Sequence, residues 1–224
     1  MQTKSIVLVA VLAIGMATGV SAATVGLWST GVCAGLNVAG CTPNTLLGFG
    51  VQDLNYTFAG AGFSTTNRTE SAISTYVPDA AGASRWLTPG TTAGALFPTG
   101  SYTATTTFSL SGFNASTLSL FLDIAADNIV VAALNGTTIL SCNTGGSACF
   151  SAFTFNHNIA AGGIAVAGLN TLTFTVTNQD AQSPTALRVQ VQGNADLAAV
   201  PEPATWGLLG VGLVGFGLLR RRLS

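Results

Sequence analysis

The chain has 224 residues, of which 48% are hydrophobic and 7% are charged, and its net charge is −1. Outside its two terminal segments it holds three arginines and no lysine against seven carboxylates, which excludes a nucleic-acid partner. The high apolar content indicates a folded domain despite the low charge. The residues from 24 to 198 are numerous enough for one domain with a sizeable core.

Residues 1–23 predict a secretory signal peptide. Lys4 precedes an apolar run over 6–20, and small residues follow at 21–23, where cleavage is expected. An uncleaved anchor is the alternative, because the apolar run is long. The sequence therefore predicts export of the rest of the chain.

The C-terminal segment, residues 200–224, predicts a second membrane-related element. Proline fixes φ and lacks an N–H, so a helix can begin only near Pro203. The uncharged apolar run over 204–219 spans roughly 24 Å as a helix, somewhat short of a ~30 Å hydrocarbon layer. Three arginines follow it at 220–222. We expect a single short transmembrane helix over 204–219 with the arginines on the cytoplasmic side; a buried core helix is the alternative.

The same segment resembles the PEP-CTERM sorting signal of Gram-negative bacteria. Its three parts are the Val-Pro-Glu-Pro sequence, a glycine-rich apolar run and an arginine cluster, and the residues that carry the motif are Pro201, Glu202, Pro203, Arg220, Arg221 and Arg222. The resemblance implies export by the secretion machinery, transient tethering in the inner membrane and recognition by an exosortase, a membrane-embedded cysteine transpeptidase-like enzyme. It further implies transfer to the cell surface or the exopolysaccharide matrix. The motif residues would be substrate residues, not catalytic ones.

The ectodomain over 24–198 is predicted to be all-β. Residues Tyr102 to Leu110 alternate apolar and hydroxylated side chains, and similar period-two patterns follow over 118–124, 172–177 and 187–192. Asn135-Gly136 favours a tight hairpin. Short alternating strands separated by turn residues predict a single β-sandwich. A weaker strand is expected over 72–78.

The later strands resemble galactose-binding-like jelly rolls. The resemblance lies in Asp127-Asn128 followed by residues 129–136, and in residues 168–178 with their alternating Leu172, Phe174 and Val176. Such domains occur as carbohydrate-binding modules and as sugar-binding domains of glycosidases. The resemblance implies a jelly-roll fold but identifies no ligand.

Four cysteines form two local pairs in sequence, Cys33 with Cys41 and Cys142 with Cys149. An even number in an exported protein predicts two disulfides, each closing a short loop. A metal site is the alternative, but neither pair has zinc-knuckle spacing, and His157 is the one histidine in the sequence.

Candidate chemistry is sparse in this sequence. His157 lies in a polar stretch expected to be an exposed turn, and the carboxylates are scattered singly, whereas glycoside hydrolysis needs two that face each other. We therefore predict a non-enzyme that interacts with extracellular polysaccharide or matrix. A hydrolase acting on polysaccharide is the alternative, to be favoured if Asp123, Asp127 or His157 converged with other acids in a pocket.

Candidate ligand contacts are aromatic residues beside polar ones, since a sugar offers an apolar ring face and hydroxyls. Two such groups are Trp86 with Arg85, and Tyr56 with Asp53. For Trp86, a core position is the alternative. Asp127 and Asn128 are expected to cap a turn, with a structural calcium ion as the alternative; no other cofactor is expected.

Overall fold

A computed structural model describes residues 21–34, 41–60, 63–79, 84–91, 95–144, 146–199 and 205–222. Residues 1–20 of the predicted signal peptide therefore lie outside the described residues. Pro201, Glu202 and Pro203 lie outside them as well.

The described chain forms eleven strands and two short-to-medium helices. The strands are β1 (Ala22–Val25), β2 (Thr57–Ala59), β3 (Asn67–Glu70), β4 (Trp86–Pro89), β5 (Gly100–Ser109), β6 (Ser119–Ala126), β7 (Ile129–Leu134), β8 (Thr137–Cys142), β9 (Thr154–Ala160), β10 (Leu169–Asn178) and β11 (Leu187–Asp196). The helices are α1 (Ala148–Ser151) and α2 (Thr205–Arg222).

Two antiparallel sheets confirm the predicted β-sandwich. One sheet has the order β3-β4-β11-β6-β9, with β1 paired to the far end of β11; the other has the order β2-β5-β10-β7-β8. The predicted hairpin joins β7 to β8 through Asn135 and Gly136, whose φ angles are 48° and 84°. The finer assignment to the galactose-binding-like jelly rolls is not confirmed.

The main core lies between the sheets because strand alternation points one set of side chains inward. On β10, Leu172, Phe174 and Val176 are fully buried, and the threonines between them are partly exposed. Tyr102 of β5, which pairs with Val176, also points inward and stacks on Phe58 at a ring-centroid distance of 5.1 Å. The period-two pattern thus produced the face that the sandwich buries.

A second hydrophobic cluster covers one half of the outer face of the first sheet. Tyr76 and Val77 pack there against Trp86 and Ala125, with Phe150 of α1 at the edge. The strand expected over 72–78 is absent from this described segment, which instead runs as turns across the sheet. It packs as a cover because its apolar side chains complete a cluster that the sheet alone would leave exposed to water.

Both predicted disulfides are present. Cys33 bonds to Cys41, and Cys142 bonds to Cys149, with Cα–Cα distances of 5.9 Å and 5.7 Å. The second pair belongs to the main core and attaches α1 to the end of β8. The disulfide prediction is therefore confirmed and the metal alternative is overturned.

Helix α2 corrects one expectation. A helix does form where one was predicted, but among the described residues no helix has both the length and the apolar character needed to cross a bilayer. The helix reaches 18 residues only by including the three arginines at 220–222. The single transmembrane helix expected over 204–219, and the inner-membrane tether inferred from it, are not supported.

Candidate functional site

The aromatic residues expected to contact a ligand lie in the interior instead. Trp86 has no exposed surface; its indole N–H donates to the Val77 carbonyl oxygen at 3.0 Å, and its ring lies 4.5 Å from that of Tyr76. Tyr56 is 1% exposed and donates its hydroxyl hydrogen to the Trp28 carbonyl oxygen at 2.7 Å. Burial raises the pKa of Tyr56, and the Asp53 charge adds to that rise. Neither ring presents a face to a ligand in this structure, and Trp86 occupies the core position that was its alternative.

Their polar neighbours also have structural roles. The Asp53 carboxylate is fully buried and accepts hydrogen bonds from the backbone N–H groups of Gly31 and Asn55, at 2.7 Å and 2.9 Å. Arg85 donates its Nε hydrogen to the Leu47 carbonyl oxygen and places its guanidinium 4.0 Å from the centre of the Phe49 ring. These contacts fix loops, which explains why polar residues occur beside the aromatic ones.

Asp127 and Asn128 fix the turn between β6 and β7. Asp127 accepts the Tyr76 hydroxyl hydrogen at 2.7 Å, and Asn128 donates its amide hydrogen to Asp180 at 3.0 Å while accepting from the Gln179 backbone. Burial raises the pKa of the Asp127 carboxyl and the Asp180 charge raises it further, whereas the Tyr76 hydrogen bond opposes the rise. Among the described residues, no three acids, cysteines or histidines are grouped as a metal site requires.

The other half of the first sheet's outer face is open. Arg188, Gln190 and Gln192 alternate along β11 away from the main core. Arg188 lies under the second cluster and donates to the Val77 and Pro78 carbonyl oxygens. The two glutamines lie beyond that cover and are partly or fully exposed.

A groove of about 410 Å³ runs along this open half, and we call it the β11 groove. One side is formed by the segment after β1, including Trp28 and Ser29, and the other by Phe121 of β6. Gln190 and Gln192 contribute to its lining between them, and Phe121 is the cross-strand neighbour of Gln192. Its volume lies within the ~300–1,000 Å³ that is usual for ligand pockets.

His157 and Asp123 form a pair at one side of the groove. His157 is in the middle of β9, not in the expected turn, and its Nε2 lies 2.6 Å from Asp123 Oδ1. The His157 ring stacks on Phe121 at a centroid distance of 3.9 Å and an interplanar angle of 14°. The pair therefore fixes the position of the Phe121 ring through this stacking contact.

The strand positions that face Asp123 hold no second carboxylate. The cross-strand neighbours of Asp123 are Gln190 on β11 and Phe155 on β9, and neither is a carboxylate. The His157 side chain is 48% exposed, so it is not enclosed as a base in a dry catalytic pocket would be. The contact that is observed is a structural one: His157, held by Asp123, positions the Phe121 ring by stacking on it.

The C-terminal end of β11 leads almost directly to the predicted sorting segment. The backbone N–H of Ala198 donates to the Gly112 carbonyl oxygen at 2.9 Å. The chain is thus attached to the sandwich up to residue 198.

Comparison with known protein families gives a match for the C-terminal segment. Residues 199–222 match the family described as PEP-CTERM protein-sorting motif. The C-terminal segment is a PEP-CTERM motif. The motif implies a secreted protein that an exosortase processes and sorts to the surface, which confirms that part of the sequence prediction. No curated protein and no solved structure matches the chain significantly.

Proposed function

We propose that this protein is a surface or extracellular-matrix component whose β-sandwich binds extracellular polysaccharide without catalysing its breakdown. The observation that carries the proposal is the PEP-CTERM motif at residues 199–222, which follows directly on a sandwich with an open groove. A sorted surface protein meets extracellular polymers, and the groove provides a concave surface for one of them. The motif accounts for sorting to the surface, and polysaccharide binding by the sandwich is the additional part of the proposed function.

The hydrolase alternative is favoured by one contact, the 2.6 Å pair between His157 and Asp123 beside the groove. Polysaccharide hydrolysis by two carboxylates would require a second acid at roughly 5–10 Å from the first, on the other side of the sugar. Gln190 occupies the cross-strand position where β11 could have supplied it. The geometry therefore supports binding better than cleavage.

Co-fractionation tests this proposal. A host that has an exosortase and secretes exopolysaccharide would express the full chain, and its extracellular polymer would be separated by size. We expect the protein to elute with the high-molecular-mass polymer and to release no new reducing ends from it during prolonged incubation. Elution apart from the polymer would refute the binding role, and a steady release of reducing ends would favour the hydrolase.

A further inference from the structure

The chemistry of the β11 groove identifies a class of ligand. Among the described residues that line it, none has a charged side chain: besides the Trp28 indole N–H, the polar groups are hydroxyls and amides, as in Ser29, Asn44, Gln190 and Gln192. A polyanion would need a cationic partner there, which this lining does not supply. A purely apolar ligand would leave buried amides without hydrogen-bond partners, at a cost in affinity.

Two kinds of surface meet in the groove. The half-buried rings of Trp28 and Phe121 offer apolar faces, while Gln190 and Gln192 each carry both donors and an acceptor. A pyranose ring has the same division, with C–H groups on its faces and hydroxyls, which both donate and accept, around its edge. From this match we infer that the β11 groove is the binding site for a neutral oligosaccharide segment, an inference that rests on the proposed polysaccharide-binding function.

The groove is held in shape before any ligand arrives. The Ser29 hydroxyl accepts a hydrogen bond from the Val191 backbone at 3.0 Å, and the Trp28 carbonyl accepts one from buried Tyr56 at 2.7 Å. On the opposite side, the Phe121 ring is fixed by its stacking on His157. A hydrogen-bonded backbone on one side and a stacked ring on the other reduce the ordering cost of binding, so a shallow site of this kind can still hold a flexible polymer.

A third wall of the groove lies next to the Cys33–Cys41 disulfide. Val32 and Asn44 line the groove, and they flank the loop that the Cys33–Cys41 bond closes. A bridge between Val32 and Leu46 and a hydrogen bond from Asn44 N to the Cys33 carbonyl oxygen hold the base of that loop. These backbone contacts position the third wall beside the groove.

Binding by site variants of the full chain tests the inference. The probes are the neutral and the acidic fractions of the producing host's exopolysaccharide, separated by anion exchange. The site variants are Gln190→Ala/Gln192→Ala and Trp28→Ala; the matched controls are Gln179→Ala and Phe49→Ala, which alter exposed residues outside the groove lining. Thermal unfolding within about 3 °C of wild type would show that each variant folds.

We expect wild type and both controls to bind the neutral fraction, and each site variant to lose about tenfold in affinity. Unchanged binding by the folded double-glutamine variant would overturn the groove as the site while leaving the proposed function intact. Preference for the acidic fraction would overturn the neutral ligand class. Binding of neither fraction by wild type would refute both the inference and the proposed function.

Discussion

The backbone N–H of Ala198 donates a hydrogen bond to the carbonyl oxygen of Gly112 at 2.9 Å, which attaches the chain to the sandwich immediately before the PEP-CTERM motif begins at residue 199. Only three Cα steps separate Ala198 from Pro201, a reach of at most about 11 Å. An enzyme that binds the Pro-Glu-Pro sequence must therefore work close to the surface of a folded domain.

Lengthening this connection should speed processing. A six-residue Gly-Ser insertion between Ala198 and Ala199 moves the motif away from the sandwich, so we expect a several-fold larger processed fraction at early times in a pulse-chase experiment. Deleting Ala199 shortens the connection and should slow processing. Equal rates for the insertion, the deletion and wild type would contradict this explanation.

Two tryptophans have opposite roles in this account. Replacing Trp86 with Phe removes a buried indole and its hydrogen bond to Val77, and should lower the free energy of unfolding by about 2 kcal/mol. The matched change of the half-buried Trp28 to Phe should alter it by about 0.5 kcal/mol or less. Denaturant unfolding measures both. Similar losses for the two variants would show that Trp28 is also a core residue.

Asp127 should make stability depend on pH. Because burial raises its pKa above the ordinary value of 3.8, the folded protein binds the proton more tightly than the unfolded chain does. This contribution is fully present below pH 3.8 and is lost as pH rises through the raised pKa. In urea titrations, the Asp127→Asn variant should therefore gain stability relative to wild type over that range. A constant difference across it would contradict the raised pKa.

Local pattern was sufficient to predict much of the sandwich. The alternation in β5, β10 and β11 and the Asn135-Gly136 turn are properties of neighbouring residues, so they could be read in sequence order. The short spacing within each cysteine pair likewise limited the pairings. Strand β3 was missed, because residues 67–70 are polar and are buried by distant segments, namely β4 on one side and the loop before β2 on the other.

The candidate site could not be predicted in the same way, because it depends on pairing between distant strands. His157 was expected in an exposed turn, yet the pairing of β9 with β6 places it beside Asp123, 34 residues earlier in sequence. For Trp86, the sequence left a ligand contact and a core position both open, because the segment over 72–79 that covers it could not be foreseen. The one feature of the sequence that indicated an open sheet face was the pair of polar positions on β11, Gln190 and Gln192, which alternate with its buried residues.

The central claim is that the PEP-CTERM motif directs processing and sorting to the surface. Mass spectrometry of protein extracted from the surface of an exosortase-bearing host tests it most directly, with an exosortase-deficient strain as control. We predict that the wild-type surface form lacks residues 220–222, and that changing Pro201, Glu202 and Pro203 to alanine leaves the chain at full length. Recovery of the intact C-terminal peptide through Ser224 from most wild-type molecules would contradict the claim.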